Sequence, residues 1–331
     1  MTHVSVRRGM LYVTIAATIW GTGGPAAALL YKVSGLGPVA VSFWRFVFGA
    51  ALLFAAAHLP RPGTTTLPRP GTPARVAVPR ARWGGLLLVG SGLAISQAAY
   101  FAAVAETGVA MATVITLGAS PAVVALGARL ALAERLGRVG TFSMGLALAG
   151  LVLMVGGPSA VSPAGAGLAL LSAVAYAGVT LHSRASTRPA DVTPRSRASA
   201  RPTGRTEGDV AMGRGDAYGT AMWGFAVGGV LLLPIAAVEG LVPSGGPVTT
   251  LALLGYLGAL PTALAYSLFF TGLASVRATT ASMVALLEPA GATAIGVLAL
   301  GERLTPASAA GAAVLLASVA FLTLGESRRA L

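Results

Sequence analysis

Ten times along this chain a run of about twenty predominantly apolar residues recurs, the length an α-helix needs to cross roughly 30 Å of hydrocarbon. The runs lie at 10–31, 38–57, 83–104, 108–130, 139–156, 163–183, 218–238, 248–271, 277–298 and 306–324. Inside lipid every backbone N–H and C=O has to be satisfied by the protein itself, which leaves helices or closed barrels as spanning structures. The expected fold class is therefore an all-α membrane protein with ten transmembrane helices. Composition points the same way, with 55% hydrophobic and only 10% charged residues, where a soluble domain carries about 25% charged. Many of the 44 Gly and 20 Pro sit within the apolar runs, where small side chains let helix backbones approach one another. Gly224 and Gly228 form one such pair.

The net charge of +13 is placed between the runs rather than along one face, which excludes nucleic acid as the expected partner. If the N-terminus is cytoplasmic, twenty of the 23 cations fall on that side, Lys32 and Arg303 fall on the other, and Arg45 lies inside a span. Such a bias orients a polytopic chain in the cell membrane with both termini in the cytoplasm. Residues 58–82 and 184–217 are rich in Pro, Arg, Ser and Thr, lack apolar periodicity, and are expected to be disordered cytoplasmic loops. Arg7 and Arg8 before an apolar run resemble a signal sequence, but the run is longer than a signal core and many more follow, so it reads as a retained first helix. No cysteine is present, which removes disulfides, thiolate catalysis and cysteine metal sites.

The chain also repeats itself. Shifted by 168 residues, Pro121-Ala122 falls on Pro289-Ala290, and Leu130-Ala131-Leu132-x-Glu134-Arg135-Leu136 falls on Leu298-Ala299-Leu300-x-Glu302-Arg303-Leu304. This divides the chain into 1–156 and 157–331, each with five spans. Because five is odd, the second copy enters the membrane in the opposite sense, and the pair forms two inverted five-helix repeats. That architecture places a binding site near the midplane, between halves that can open to either side in turn.

Several pieces together resemble the drug/metabolite transporter superfamily, of the EamA type with two repeats. They are Trp20-Gly21, Pro38 with Arg45, Glu288-Pro289, and Leu300-Gly301-Glu302-Arg303-Leu304. The resemblance implies ten helices, cytoplasmic termini, a central cavity open alternately to each side, and secondary transport, often export, of amino acids or other metabolites. Its motifs are shared by members with very different substrates. Two departures stand out: Ser120 occupies the position matching Glu288, and the basic stretch 184–217 is long.

Charged groups in hydrocarbon are costly, about 2.5–3.5 kcal/mol or more at a helix centre, so those that persist face a partner or a wet cavity. Arg45 and Glu288 are the two that stand well inside spans. Arg45 could hold a carboxylate through its planar fork and Glu288 an amine or a proton; alternatively, Arg45 satisfies backbone carbonyls or pairs with Glu288. The other substrate-cavity candidates are Trp20, Gln97, Tyr100, Tyr176, Tyr256 and Tyr266, each open to a plain packing or interfacial reading. Gly23, Gly24 and Pro25 follow Trp20 and are expected to loosen the helical ladder beside a cavity. With Pro121, Pro261 and Pro289 they form the hinge candidates. Glu134-Arg135 and Glu302-Arg303 at span ends read as helix caps or anchors ahead of a gating ion pair.

The chain's only lysine, Lys32, is not in a phosphate-binding loop, so no nucleotide is expected. Three scattered histidines lack ligand spacing, so neither a metal nor another cofactor is expected. The expected partners are a small-molecule substrate, the lipid bilayer, and a proton or other coupling ion, with the oligomeric state open. The principal reading is a secondary transporter exporting amino acids or related compounds, with a multidrug or cation exporter as the alternative. A channel would show a filter motif, and an intramembrane hydrolase would need a pair such as Ser91 with His182. Neither signature surrounds those residues.

Overall fold

The computed structural model describes residues 5–58, 83–155, 162–187, 207–300 and 305–329, and among them it is helical, with no strand. Helix α1 (Val6–Ser34) starts at Ser5, whose hydroxyl accepts the Arg8 N–H at 3.3 Å. It stops at Gly35, whose φ of 67° suits glycine and whose N–H returns to the Tyr31 carbonyl. Helix α2 (Pro38–His58) opens on a proline, and its Ala40 N–H is met at 2.8 Å by the carboxylate of Glu239. A residue distant in sequence therefore caps it.

Helix α3 (Trp83–Ala131) is broken at Gly108, where φ 77° and ψ 160° are open to glycine alone. Its arms are Trp83–Gly108 and Met111–Ala131. Tyr100 and Thr113 are hydrogen-bonded at 2.8 Å, whereas thirteen residues of straight helix would hold them about 20 Å apart. The arms therefore fold back on each other as a hairpin. Then come α4 (Arg138–Val155), α5 (Pro163–Thr187) and α6 (Glu207–Glu239). Helix α7 (Pro247–Leu257) runs through a π turn (Gly258–Leu264) into α8 (Ala265–Leu273). The last elements are α9 (Ala278–Val284), α10 (Leu287–Leu300) and α11 (Pro306–Arg329).

Among the described residues, eight helical stretches are long and apolar enough to cross a membrane, and Arg138–Met154 is a shorter apolar helix. The expected span 277–298 is not one such helix. It is divided at 285–286 into α9 and α10, because Pro289 has no N–H to return to Ala285; the Glu288 N–H takes that carbonyl instead, at 3.0 Å. The supposed loop 184–217 is also shorter than expected. Residues 184–187 complete α5, and α6 begins at Glu207, while 188–206 and 59–82 lie outside the described residues.

The helices touch through glycines. A Cβ on Gly21 would fall 2.8 Å from the Glu288 carbonyl oxygen and 2.9 Å from the Gly291 Cα, so α1 and α10 meet backbone to backbone. Gly224 faces Val89 and Gly228 faces the Phe46 ring, so the GxxxG pair packs α6 against α3 and α2. Gly150 and Gly311 join α4 to α11 in the same way. Phe46, Phe225, Phe269 and Phe270 fill the centre of the bundle, each almost fully buried. Such contact is what holds helices together where lipid tails are as apolar as side chains.

Candidate functional site

The site grows from two interruptions in helical regularity. Pro261 cannot donate to the residue one turn before it, and the chain accommodates this as the π turn, the kind of bulge often found where helices carry function. Two long side chains from facing helices hold this turn. Trp20 Nε1 of α1 donates to the Pro261 carbonyl at 2.9 Å, and Arg45 Nε of α2 donates to Thr262 Oγ1 at 3.4 Å. The Thr262 hydroxyl donates in turn to the Leu257 carbonyl at 2.7 Å, which leaves its lone pairs for Arg45. The second interruption, at 285–286, puts Glu288 in the first turn of α10, where a carboxylate is favoured by the helix dipole.

Between these lies an aromatic wall. Trp20 is 4.9 Å from Tyr266 and 5.1 Å from Phe269, ring centre to ring centre, and Phe269 lies 6.5 Å from Tyr176. Tyr266 also meets Phe225 edge-on at 5.1 Å. Glu288 lies within Coulombic range of Arg45, Tyr100, Tyr176 and Tyr266. Six of the eight cavity candidates, Trp20, Arg45, Tyr100, Tyr176, Tyr266 and Glu288, thus converge on one region. Tyr256 stands beside it, its hydroxyl donating to Thr22 Oγ1 at 2.6 Å. Gln97 stands on the α2 side, its Nε2 donating to Ser42 Oγ at 3.2 Å, one helical turn before Arg45.

The two charges are close but not joined. Among the described residues Arg45 and Glu288 form no ion pair, and the Glu288 carboxylate makes no hydrogen bond. Glu288, Tyr176 and Tyr266 lie deep in the bundle yet keep accessible side-chain surface. A carboxyl group without a protein partner at that depth either holds a proton or faces water or a bound group.

The hinge candidates separate. Pro261 and Pro289 lie at the two interruptions, whereas Pro121 is carried within an unbroken arm of α3. The loosening expected at Gly23, Gly24 and Pro25 is absent: α1 stays helical throughout, because Gly21 and Gly23 serve close packing and a single proline is absorbed as an internal residue. Gly24 has open space beside it. Ser120, the counterpart of Glu288 in the repeat, is buried and its hydroxyl has no hydrogen-bond partner among the described residues. Ser91 donates to the Leu88 carbonyl and the His182 ring meets Ser186; among the described residues the two are not hydrogen-bonded to each other. Thr262, Phe269, Ser42 and Thr22 escaped sequence reasoning, since buried threonines and phenylalanines are ordinary in apolar helices.

A separate cavity of about 570 Å³ opens between α2 and α6 on one side and α3 and α5 on the other. Its walls are apolar, from Ile95 and Ala102 to Leu171 and Ile235, with Glu239 at one end. Near the opposite end of the same helices Gly90 and Gly224 bring α3 and α6 into contact, so these helices diverge toward the end that carries Glu239. None of the eight candidates lines this opening, though Phe101 within it stacks edge-on against Tyr100 at 5.3 Å.

Comparison with known proteins fits this arrangement. The EamA-like transporter family matches residues 7–156 and 206–324. An uncharacterized transporter of Bacillus subtilis, YwfM, is 28% identical over 92% of this chain and 90% of its own length. An uncharacterized inner membrane transporter of Salmonella typhimurium, YicL, is 26% identical over 98% of each. A crystal structure of a protein 18% identical in sequence superposes with a TM-score of 0.71 over 97% of this chain and 98% of the other, which shows a shared fold. With the family match covering most of its length, this multi-pass membrane protein belongs to the EamA-like transporter family.

Proposed function

We propose that the chain is a secondary carrier that exports an amino acid or a closely related amphoteric metabolite across the cell membrane. It does so by alternating access between two inverted repeats, 1–156 and 157–331, of five spans each, with both termini in the cytoplasm. The observation that carries the reading is a pair of opposite charges that form no ion pair with each other among the described residues: Arg45 and Glu288 lie within electrostatic reach of one another, in the same region as Trp20, Tyr176 and Tyr266. A zwitterion fits such a pair, its carboxylate on the guanidinium fork and its ammonium on the carboxylate. The aromatic wall then takes the apolar side chain. Glu288, inside a span and bonded to no other group among the described residues, is also the candidate to carry a coupling proton.

A lipophilic cation is the second reading, favoured by the aromatic wall beside Glu288 and opposed by the positive charge of Arg45. Counterflow in liposomes separates the two. Purified protein should exchange labelled amino acid for unlabelled and saturate as it does so. Glu288→Gln and Arg45→Gln should each lower that exchange about tenfold or more, the loss of one charge-assisted contact being about 1.5–3 kcal/mol. If cations exchange and amino acids do not, the second reading replaces the first. Transport driven by a pH gradient that survives unchanged in Glu288→Gln would remove the proton-carrying role.

A further inference from the structure

The geometry points to a cytoplasmic gate at the end of the bundle opposite Glu239, latched by Glu134 and Arg184. Arg184 Nε meets Glu134 Oε1 at 3.1 Å, with 11% and 5% of the two side chains exposed. Each partner also holds the far side of the bundle. Arg184 Nη1 donates to the carbonyls of Leu273 at 2.7 Å and Ala274 at 2.9 Å, the last turn of α8. Glu134 Oε2 accepts the N–H of Ala278 at 3.1 Å, the first residue of α9. One ion pair therefore binds the end of α3 and the end of α5 to both sides of the α8–α9 turn. Glu134 reaches that place because Ala133 takes a positive φ of 51° and the Glu134 N–H turns back to the Ala128 carbonyl.

Nothing about helix ends in general requires this arrangement. Local capping uses a residue next to the end it serves, whereas here the partners are separated by 89 and 144 residues. Beneath the latch, α9 is buried along its whole length, and the cavity between Glu134, Arg277 and Met283 holds about 10 Å³, roughly the room one water needs. The opposite half of the molecule is the one in which α3 and α6 diverge. The basic end is thus shut while the other gapes, and exposing Arg45 and Glu288 to the cytoplasm requires α3 and α5 to part from the α8–α9 turn. Breaking the Glu134–Arg184 pair is the step that permits it. This inference rests on the alternating-access reading and adds the residues that hold one of its two states.

The chain has no cysteine, so a single introduced thiol reports alone. Met283→Cys lies under the latch, 1% exposed, and Ala98→Cys lines the opening on the other side. In oriented membrane vesicles, Glu134→Gln and, separately, Arg184→Gln should raise labelling of Met283→Cys by a membrane-impermeant maleimide, applied from the cytoplasmic side, by about tenfold or more. Labelling of Ala98→Cys from the outside should stay level or fall. Unchanged labelling at Met283→Cys overturns the gate. So does a rise at both thiols together, which reports general loosening and a merely structural pair. Neither readout needs a substrate, so failed counterflow by the unmodified protein sinks the carrier reading separately.

Discussion

Thr262 carries two contacts on one hydroxyl. Its proton is committed to the Leu257 carbonyl and its lone pairs face Arg45 Nε, so it both closes the π turn and fixes where the guanidinium points. Thr262→Val keeps the shape and removes both contacts. It should lower thermal stability in detergent by about 1 kcal/mol. It should also raise the concentration needed for half-maximal counterflow several-fold, while Thr262→Ser restores both. A variant that loses stability alone would confine Thr262 to the backbone. Arg45 and Glu288 were legible in the sequence because charge in an apolar run is expensive and therefore conspicuous. Thr262 was not, because a hydroxyl in a helix ordinarily bonds to its own preceding turn.

At the scale of elements, the difference between Gly21 and Gly24 tests whether the glycines of α1 are there for packing or for flexibility. A Cβ at Gly21 meets the α10 backbone, whereas a Cβ at Gly24 meets nothing within 4 Å. Gly21→Ala should therefore cost about 1–3 kcal/mol of stability by overpacking. Gly24→Ala should be neutral or gain up to about 1 kcal/mol from helix propensity, both read from thermal unfolding in detergent. Equal effects would mean that α1 and α10 are not in backbone contact.

Eight of the ten expected spans match helices long and apolar enough to cross a membrane, because hydropathy over about twenty residues is a strong, local signal. The interruptions were not. Pro25, Pro121, Pro261 and Pro289 look alike in sequence, yet two are absorbed in unbroken helix, one produces a π turn and one splits a span. What decides is the neighbour that can take the freed carbonyl: the Thr262 hydroxyl takes that of Leu257 beside Pro261, and the Glu288 N–H that of Ala285 beside Pro289. The Glu134–Arg184 latch was half visible, as a cap at a span end. Its reach across the bundle depends on contacts between residues far apart in the chain, which periodicity does not encode.

For the whole molecule, threading is the property on which the inverted-repeat reading depends. Contacts sort into two ends. Ser244 donates to Ser34 and Ser308 to the Met154 carbonyl at one end; Gly9 meets Gly272, and Glu134 meets Arg184, at the other. An even number of crossings follows from the proposed ten, so tags at the N- and C-termini should both be protected from protease in right-side-out vesicles and both be cleaved in inside-out ones. Opposite behaviour of the two tags would end the symmetry argument.

The seam between α4 and α11 has a further consequence for any such motion. Gly150 and Gly311 bring the two backbones into direct contact, and Ser308 pins the same pair near its end by bonding to the Met154 carbonyl. One of these helices belongs to each half of the chain, and at the two glycines the backbones meet directly, while Phe142 and Phe321 pack together elsewhere along the same pair. If the two halves move against each other as proposed, a contact this close favours motion that pivots about it, with displacement growing toward Arg45, Glu288 and the latch.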